Sequence, residues 1–273
     1  MRGETSMESE RETRLAFADE IRDASEQGLQ NGLQLFDVTV LLERQPKLAA
    51  ALIDPARSAI AKKRFVASLF QDVGVSQLPI DLLASLSAHK WSSVEDLADA
   101  TEDLAVDCVL AASDAAHVTD ETSVELAEIN SAILNHPLVR QRLSDARANP
   151  QTRVAFWRKL FTGERFNEYT IALAEHAAAD LHGRKYSDAI EWLIGRISEH
   201  QGQYIVTVTS AVPLTQRQQD RIAALYVAKL KRQVHLNLIV DPSVIGGLRL
   251  QCGADVTDTT VVAQLQTLRK ALA

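Results

Sequence analysis

The chain has 273 residues, of which 46% are hydrophobic, 5% aromatic and 24% charged, and its formal net charge is −7. That length has room for two or three domains with sizeable cores. The acidic balance excludes nucleic acid as a default partner, since neutralising phosphates needs a basic face, and the dominance of Ala and Leu with few aromatics favours packed helices over sandwiches or barrels.

Residues 1–10 are polar and read as loose; the segment MRGETSMESERETR is too charged for a signal peptide. Helical periodicity starts near Arg11, with Leu15, Ala18, Ile21 and Ala24 as its stripe. A second helix carries Leu35, Val38, Leu41 and Leu42 and stops near Pro46. Asp54-Pro55 reads as an N-cap followed by proline at the first helical position. Arg64–Phe70, Leu78–Ala88 and Val94–Ala112 continue the helical pattern, the last within a long helix that ends one bundle and begins the next. No apolar run approaches the ~20 residues needed to cross a bilayer.

The helical pattern repeats. Adding 91 maps Leu35 onto Leu126, Val38 onto Ile129, Leu42 onto Ile133, Pro46 onto Pro137, Leu52 onto Leu143 and Asp54 onto Asp145. The same frame maps Lys62 onto Arg153, Phe65 onto Phe156, Leu69 onto Leu160, Phe70 onto Phe161 and Ile80 onto Ile171; with a shift of 93, Leu97 maps onto Ile190 and Leu104 onto Ile197. Shared helical periodicity explains apolar coincidences alone. Coincident Pro, Asp, basic and Phe positions in one frame point to duplication.

After residue 203 the period changes. Tyr204–Ala211, YIVTVTSA, alternates and is rich in β-branched residues, as a strand does. Thr215 and Gln218 form a capping box for a helix running to about Arg232. Val234–Val240 and Gly247–Cys252 read as strands, and Asp258 as the cap of a last helix carrying Val261, Val262, Leu265 and Leu268. The expected fold is mainly α: tandem bundles over 11–112 and 113–203, then a small α/β domain over 204–273. Charge divides along the same line. Eight cations and four anions give residues 204–273 a charge of +4, leaving −11 for residues 1–203. Either this is ordinary variation between domains, or it marks two surfaces with different partners.

Residues with catalytic spacing are not apparent. No P-loop, GxGxxG or G-x-S-x-G is present. Cys108 and Cys252 stand alone, without zinc-ligand spacing, and read as reduced thiols. His176 and His182 are six apart, about 120° around a helix, which is not a metal-ligating pair; a surface or interface role is expected. His89, His117, His136, His200 and His235 form no cluster in sequence, and Trp91, Trp157 and Trp192 read as packing residues. Gly246-Gly247 could present backbone N–H groups to an anion, but a bulge or close chain approach suits a pair that enters a strand. Asp241, before Pro242, reads as a turn residue. No catalytic, cofactor-binding or metal-ligating residue is assigned.

One stretch carries more. Val234–Gly253, VHLNLIVDPSVIGGLRLQCG, joins a strand, an Asp241-Pro242 turn, Gly246-Gly247 and a second strand. It resembles the C-terminal signature of the F-type ATP synthase delta subunit, the oligomycin-sensitivity-conferring family. TVTSAVPLTQRQQDRIAAL, with Ser210-Ala211 before a capped helix, resembles the start of that family's C-terminal domain, and the helical stretch NHPLVRQRLSDARANPQTRVAFWRKLF is similar to its bundle. The structural signature is Ser210, Ala211, Asp241, Pro242, Gly246, Gly247 and Asp258. Two features depart from the family's pattern. The bundle is duplicated, as in the longer actinobacterial delta subunits, and Val256-Thr257-Asp258-Thr259-Thr260 replaces the usual Gly and Ser. The resemblance implies a non-catalytic stator connector without cofactors, at the cytoplasmic face of the cell membrane. Its helical domain would hold the N-terminal helices of the alpha subunits, and its tail the b-type stalk subunit. The alternatives are a general helical adaptor with one partner, or an enzyme with a site between bundle and tail.

Overall fold

The computed structural model describes residues 4–70, 73–201, 203–230, 233–241, 247–252 and 255–258. The chain forms two compact units, 1–194 and 195–273. The first is helical: α1 (Glu4–Asp23), α2 (Gly28–Arg44), α3 (Pro46–Ile53), α4 (Ala59–Phe70), α5 (Gln77–Ala88), α6 (Val94–Ala115), α7 (Thr119–Leu134), α8 (Pro137–Leu143), α9 (Pro150–Leu160) and α10 (Glu168–Ala179), followed by α11 (Tyr186–His200), which leads into the second unit.

The 91-residue repeat reaches the helix bounds. Shifted by 91, α2 begins where α7 begins, α3 where α8 begins, α4 where α9 begins, and α5 spans the same residues as α10. Side chains repeat as well. Leu35 and Leu126, Leu42 and Ile133, and Leu52 and Leu143 are all buried. Pro46 and Pro137 both open short helices, where a missing N–H costs nothing. Asp54 Oδ1 accepts from Ala56 N at 2.9 Å, and Asp145 Oδ1 from Arg147 N at 3.0 Å.

Those last bonds correct the expected helix start. Asp54-Pro55 forms a turn, because the Asp side chain bonds the backbone two residues on, and α4 begins only at Ala59, behind Ser58. The N-terminus is also corrected, since α1 already begins at Glu4. Its buried face is not Leu15 and Ala18, which are exposed, but Ser6, Ser9, Glu10, Thr13 and Ile21. Ser6 Oγ donates to Asp96 Oδ2 at 2.7 Å and Ser9 Oγ to the Lys90 carbonyl at 2.8 Å. Satisfied hydroxyls can be buried at little cost, so polarity at Ser6 and Ser9 was a poor guide to exposure.

At the centre lies α6. Ser93 caps it, accepting from Asp96 N, and Glu95 and Asp96 in the first turn suit the positive end of the helix dipole. Every residue from Asp96 to Ser113 except Asp99 is buried, on all faces of the helix. It packs against α1, α2, α3, α5, α7 and α10. Its approach to α2 is close because Gly28 and Gly32, one turn apart on α2, face Ala105, Cys108, Val109 and Ala112 without a Cβ. Buried acids on α6 are paired: Asp107 accepts from Arg14 at 2.7 Å. Burial pushes the Cys108 thiol well above its ordinary pKa, so it stays protonated.

The second unit contains β1 (Gln203–Ser210), α12 (Gln216–Leu230), β2 (Gln233–Val240), β3 (Leu248–Cys252) and β4 (Asp255–Asp258). The sheet order is β2-β1-β3-β4, with β1 parallel to β2 and antiparallel to β3. Gln218 Oε1 accepts from Thr215 N at 2.9 Å, one arm of the capping box that opens α12. The core is Val206, Val208 and Tyr226, surrounded by Leu214, Ile222, Val234, Leu236, Leu248 and Leu250. The mainly α architecture with a small C-terminal α/β unit follows the sequence expectation. β4 does not, since Asp255–Asp258 is too short and polar to read as a strand; pairing with β3 supplies what propensity lacks. The expected last helix lies outside the described residues.

Candidate functional site

The described signature residues gather at one end of the sheet. Ser210 closes β1 and is the register partner of Val240 on β2 and Leu248 on β3. Its carbonyl accepts from Asp241 N at 2.9 Å, and its buried hydroxyl donates to the Val212 carbonyl at 2.8 Å. The exit of β2 is thereby tied to the end of β1. Ala211 follows, half-buried. Gly247, directly before β3, has φ of +86°, where a Cβ would be strained. Asp258 ends β4 as the register partner of Arg249. Pro242 and Gly246 lie outside the described residues. The arrangement is a turn scaffold. Beside it, Leu238, Ile239 and Val240 are exposed on β2, an edge strand among the described residues.

A second constellation lies inside the helical unit and corrects the sequence reading of the histidines. His176 and His182 are not surface residues; both imidazoles are only 4% exposed. His176, on α10, stacks on Phe36 of α2 with ring centroids 3.6 Å apart, and its Nε2 lies 2.9 Å from Glu102 Oε1 on α6. His182 sits in the α10–α11 turn with φ of +44°, its backbone N donating to Asp180 Oδ1 at 3.2 Å. Its Nδ1 is 2.9 Å from Glu43 Oε1 and 3.4 Å from Asp99 Oδ1. Its Nε2 is 3.4 Å from Asp180 Oδ2 and 3.6 Å from Glu102 Oε1. Arg184 Nη2 donates to both Glu102 oxygens, at 2.7 and 2.6 Å, while its guanidinium lies 4.3 Å over Trp192.

The electrostatics follow from four carboxylates closing on two imidazoles and one guanidinium. Burial opposes charge on His182, but Asp99, Glu43, Glu102 and Asp180 outweigh it and hold its pKa up at about 10. Burial likewise opposes ionisation of Glu102, yet His176, His182 and Arg184 bring its pKa below the ordinary value. Asp180 is pushed up, by burial first and by Glu43 in addition. Glu43, Asp180, His182, Arg44, Arg153 and Gly183 line an open cavity of about 210 Å³ leading to this cluster. No local signal marks it in the sequence, because its members come from α2, α6, α10 and the turn after α10.

Comparison with known proteins bears on both halves of the chain. A family model described as "ATP synthase delta (OSCP) subunit" matches residues 105–272, which take in most of α6, the second helical copy and the tail. The chain is 42% identical over 270 residues to "ATP synthase subunit delta" of Bifidobacterium longum, covering 99% of this chain and 97% of that one. It is 32% identical to the protein of that name in Kineococcus radiotolerans, covering 89% and 87%, and 32% identical to that of Streptomyces avermitilis, covering 88% and 87%. Residues 1–104, outside the family model, are thus largely matched by these relatives as well. The chain belongs to the ATP synthase delta (OSCP) subunit family.

Proposed function

We propose that this chain is the delta subunit of an F-type ATP synthase and acts as its stator connector, catalysing no reaction itself. Its helical unit holds the catalytic head through the N-terminal helices of the alpha subunits. Its α/β unit holds the b-type stalk subunit, and the complex places it at the cytoplasmic face of the cell membrane. The observation that carries this reading is likeness over almost the whole chain, at 42% identity, to a protein named for that subunit. Among the described residues no helix is long and apolar enough to cross a membrane, which is compatible with attachment through other subunits.

The physics suits two grips. Leu15, Ile60, Val124 and Leu138 are exposed apolar side chains on the helical unit, of the kind an amphipathic helix covers. The tail presents Leu225 and the β2 row from Leu238 to Val240, on a segment of opposite net charge. Two contacts on one chain raise effective concentration and slow release under load. We assign the copies to 11–112 and 113–203, the tail to 204–273, and the shaping of the tail turn to Ser210, Ala211, Asp241, Pro242, Gly246, Gly247 and Asp258. Affinity purification of the tagged chain from its own membranes tests the proposal: both the catalytic head and the b-type subunit should be recovered. Recovery of one partner, with ATP synthesis unchanged after depletion, would favour a general adaptor instead. Recovery of neither would end the reading.

A further inference from the structure

We propose that Glu102, His176 and His182, joined by Asp180, form a binding site for a divalent metal ion of the zinc class, clamping the two helical copies together. One ligand atom each from Glu102, His176 and His182 lies within 4.8 Å of the others. Tetrahedral ligation at ~2.0–2.1 Å places neighbouring ligand atoms about 3.3–3.4 Å apart. The separations here are 2.9 Å for Glu102 Oε1 to His176 Nε2, 3.6 Å for Glu102 Oε1 to His182 Nε2, and 3.4 Å for His182 Nε2 to Asp180 Oδ2. These three separations bracket the required edge, and the His176–His182 edge lies under 4.8 Å.

A second observation points to a ligand. His182 Nε2 and Asp180 Oδ2 are both buried, and neither has a hydrogen-bond partner among the described residues. Asp180 is 7% exposed as a residue and the His182 side chain 4%. Buried polar atoms without a hydrogen bond cost free energy, and these two, ion-paired but not hydrogen-bonded, lie 3.4 Å apart, the spacing of two ligands on one ion.

The surroundings supply what metal sites use. Glu43 and Asp99 face Nδ1 of His182, which leaves Nε2 as the ligating nitrogen, and carboxylates on the far side of a ligating imidazole fix its tautomer and orientation. Phe36 fixes the His176 ring by stacking. Arg184 Nη2 donates to both Glu102 oxygens and holds that carboxylate, so an ion on Oε1 shares the oxygen with it, and the cavity lined by Glu43, Asp180 and His182 gives an entry path. Arg184 opposes a second cation, but it is one positive charge among four carboxylates. Imidazole nitrogen with carboxylate oxygen suits zinc-class ions better than calcium or magnesium, which prefer all-oxygen shells, and the ion would displace the proton that the carboxylates hold on His182. Glu102 belongs to α6, whereas His176, Asp180 and His182 follow it by more than 70 residues, so the ion would bridge the copies.

The purified full chain, stripped with EDTA and desalted, is titrated with Zn2+ by calorimetry and with Co2+ by visible absorption. Binding of one ion per chain is expected, with tetrahedral d–d bands for Co2+. His176→Gln and His182→Gln should each weaken Zn2+ binding at least tenfold, with circular dichroism verifying the fold, while exposed His136→Gln should leave it unchanged. Absence of stoichiometric Zn2+ binding, or binding that survives both substitutions, overturns the proposal. If the variants do not fold, the Co2+ spectrum of the unaltered chain decides, and bands of purely octahedral, aquo-like character refute the site.

Discussion

A single methyl group at Gly32 probes the crossing of α2 and α6. A Cβ there would lie 2.4 Å from Val109 Cγ2 and 2.8 Å from the Ala105 carbonyl oxygen. Carbon pairs pack at ~3.5–4.0 Å, so the helices must part by about 1 Å. Neither neighbour can give way easily: Val109 is 0% exposed and Ala105 O belongs to the backbone of a helix buried on every side. Overpacking of this kind costs about 1–3 kcal/mol. Against it stands a helix-propensity gain of about 1 kcal/mol for Gly→Ala. The net loss for Gly32→Ala is about 0–2 kcal/mol, or up to roughly 8 °C in Tm at this chain length. The control is Gly195→Ala on α11, where a Cβ meets no atom of the described residues within 4 Å. There the propensity gain is unopposed, and stability should rise by roughly 0.5–1 kcal/mol. Urea denaturation of the full chain, followed by far-UV circular dichroism, measures both. If Gly32→Ala moves the midpoint upward alongside Gly195→Ala, the tight crossing is wrong.

Other predictions use the repeat and the tail. Arg153 donates to the carbonyls of Ala178, Asp145, Ala148 and Ala179, so Arg153→Met should cost on the order of 3 kcal/mol. At the matching position of the first copy, Lys62 has its pKa lowered chiefly by burial, and no hydrogen bond anchors its ammonium among the described residues. Lys62→Met should therefore be neutral or stabilising; urea midpoints for the two variants should move in different senses. Gly247→Val places a β-branched residue at φ of +86°, with an expected loss of about 1–3 kcal/mol, read by thermal melting and by weaker capture of the b-type subunit. A fragment covering residues 113–273 lacks nearly all of α6, against which α7 and α10 pack, and should elute as aggregate in gel filtration; a monomeric, cooperatively melting fragment would refute the shared role of that helix.

Much of the fold was legible because it depends on local order. Period and proline placement marked most helices, and the offset of 91 was readable because duplicated helices conserve caps and spacing as well as apolarity. The tail strands were legible through β-branched alternation, and its signature through an Asp-Pro turn followed by paired glycines. Local signals failed where a residue's environment is set from elsewhere. The face of α1 carrying Ser6, Ser9 and Thr13 looked solvated until Asp96, 90 residues on, proved to accept from Ser6. β4 needed β3 as a template.

The sequence by itself determined the helical body, its internal repeat and the family of the tail, since each is written in spacings short enough to be read along one helix or hairpin. Only the tertiary structure decided that His176 and His182 are interior and that Glu102, 74 residues before His176, meets them. It also decided that α6 is enclosed by helices from both before and after it in the chain. Burial and charge pairing are properties of what a side chain faces, and packing across the chain, not the order of residues along it, assembles those facing groups.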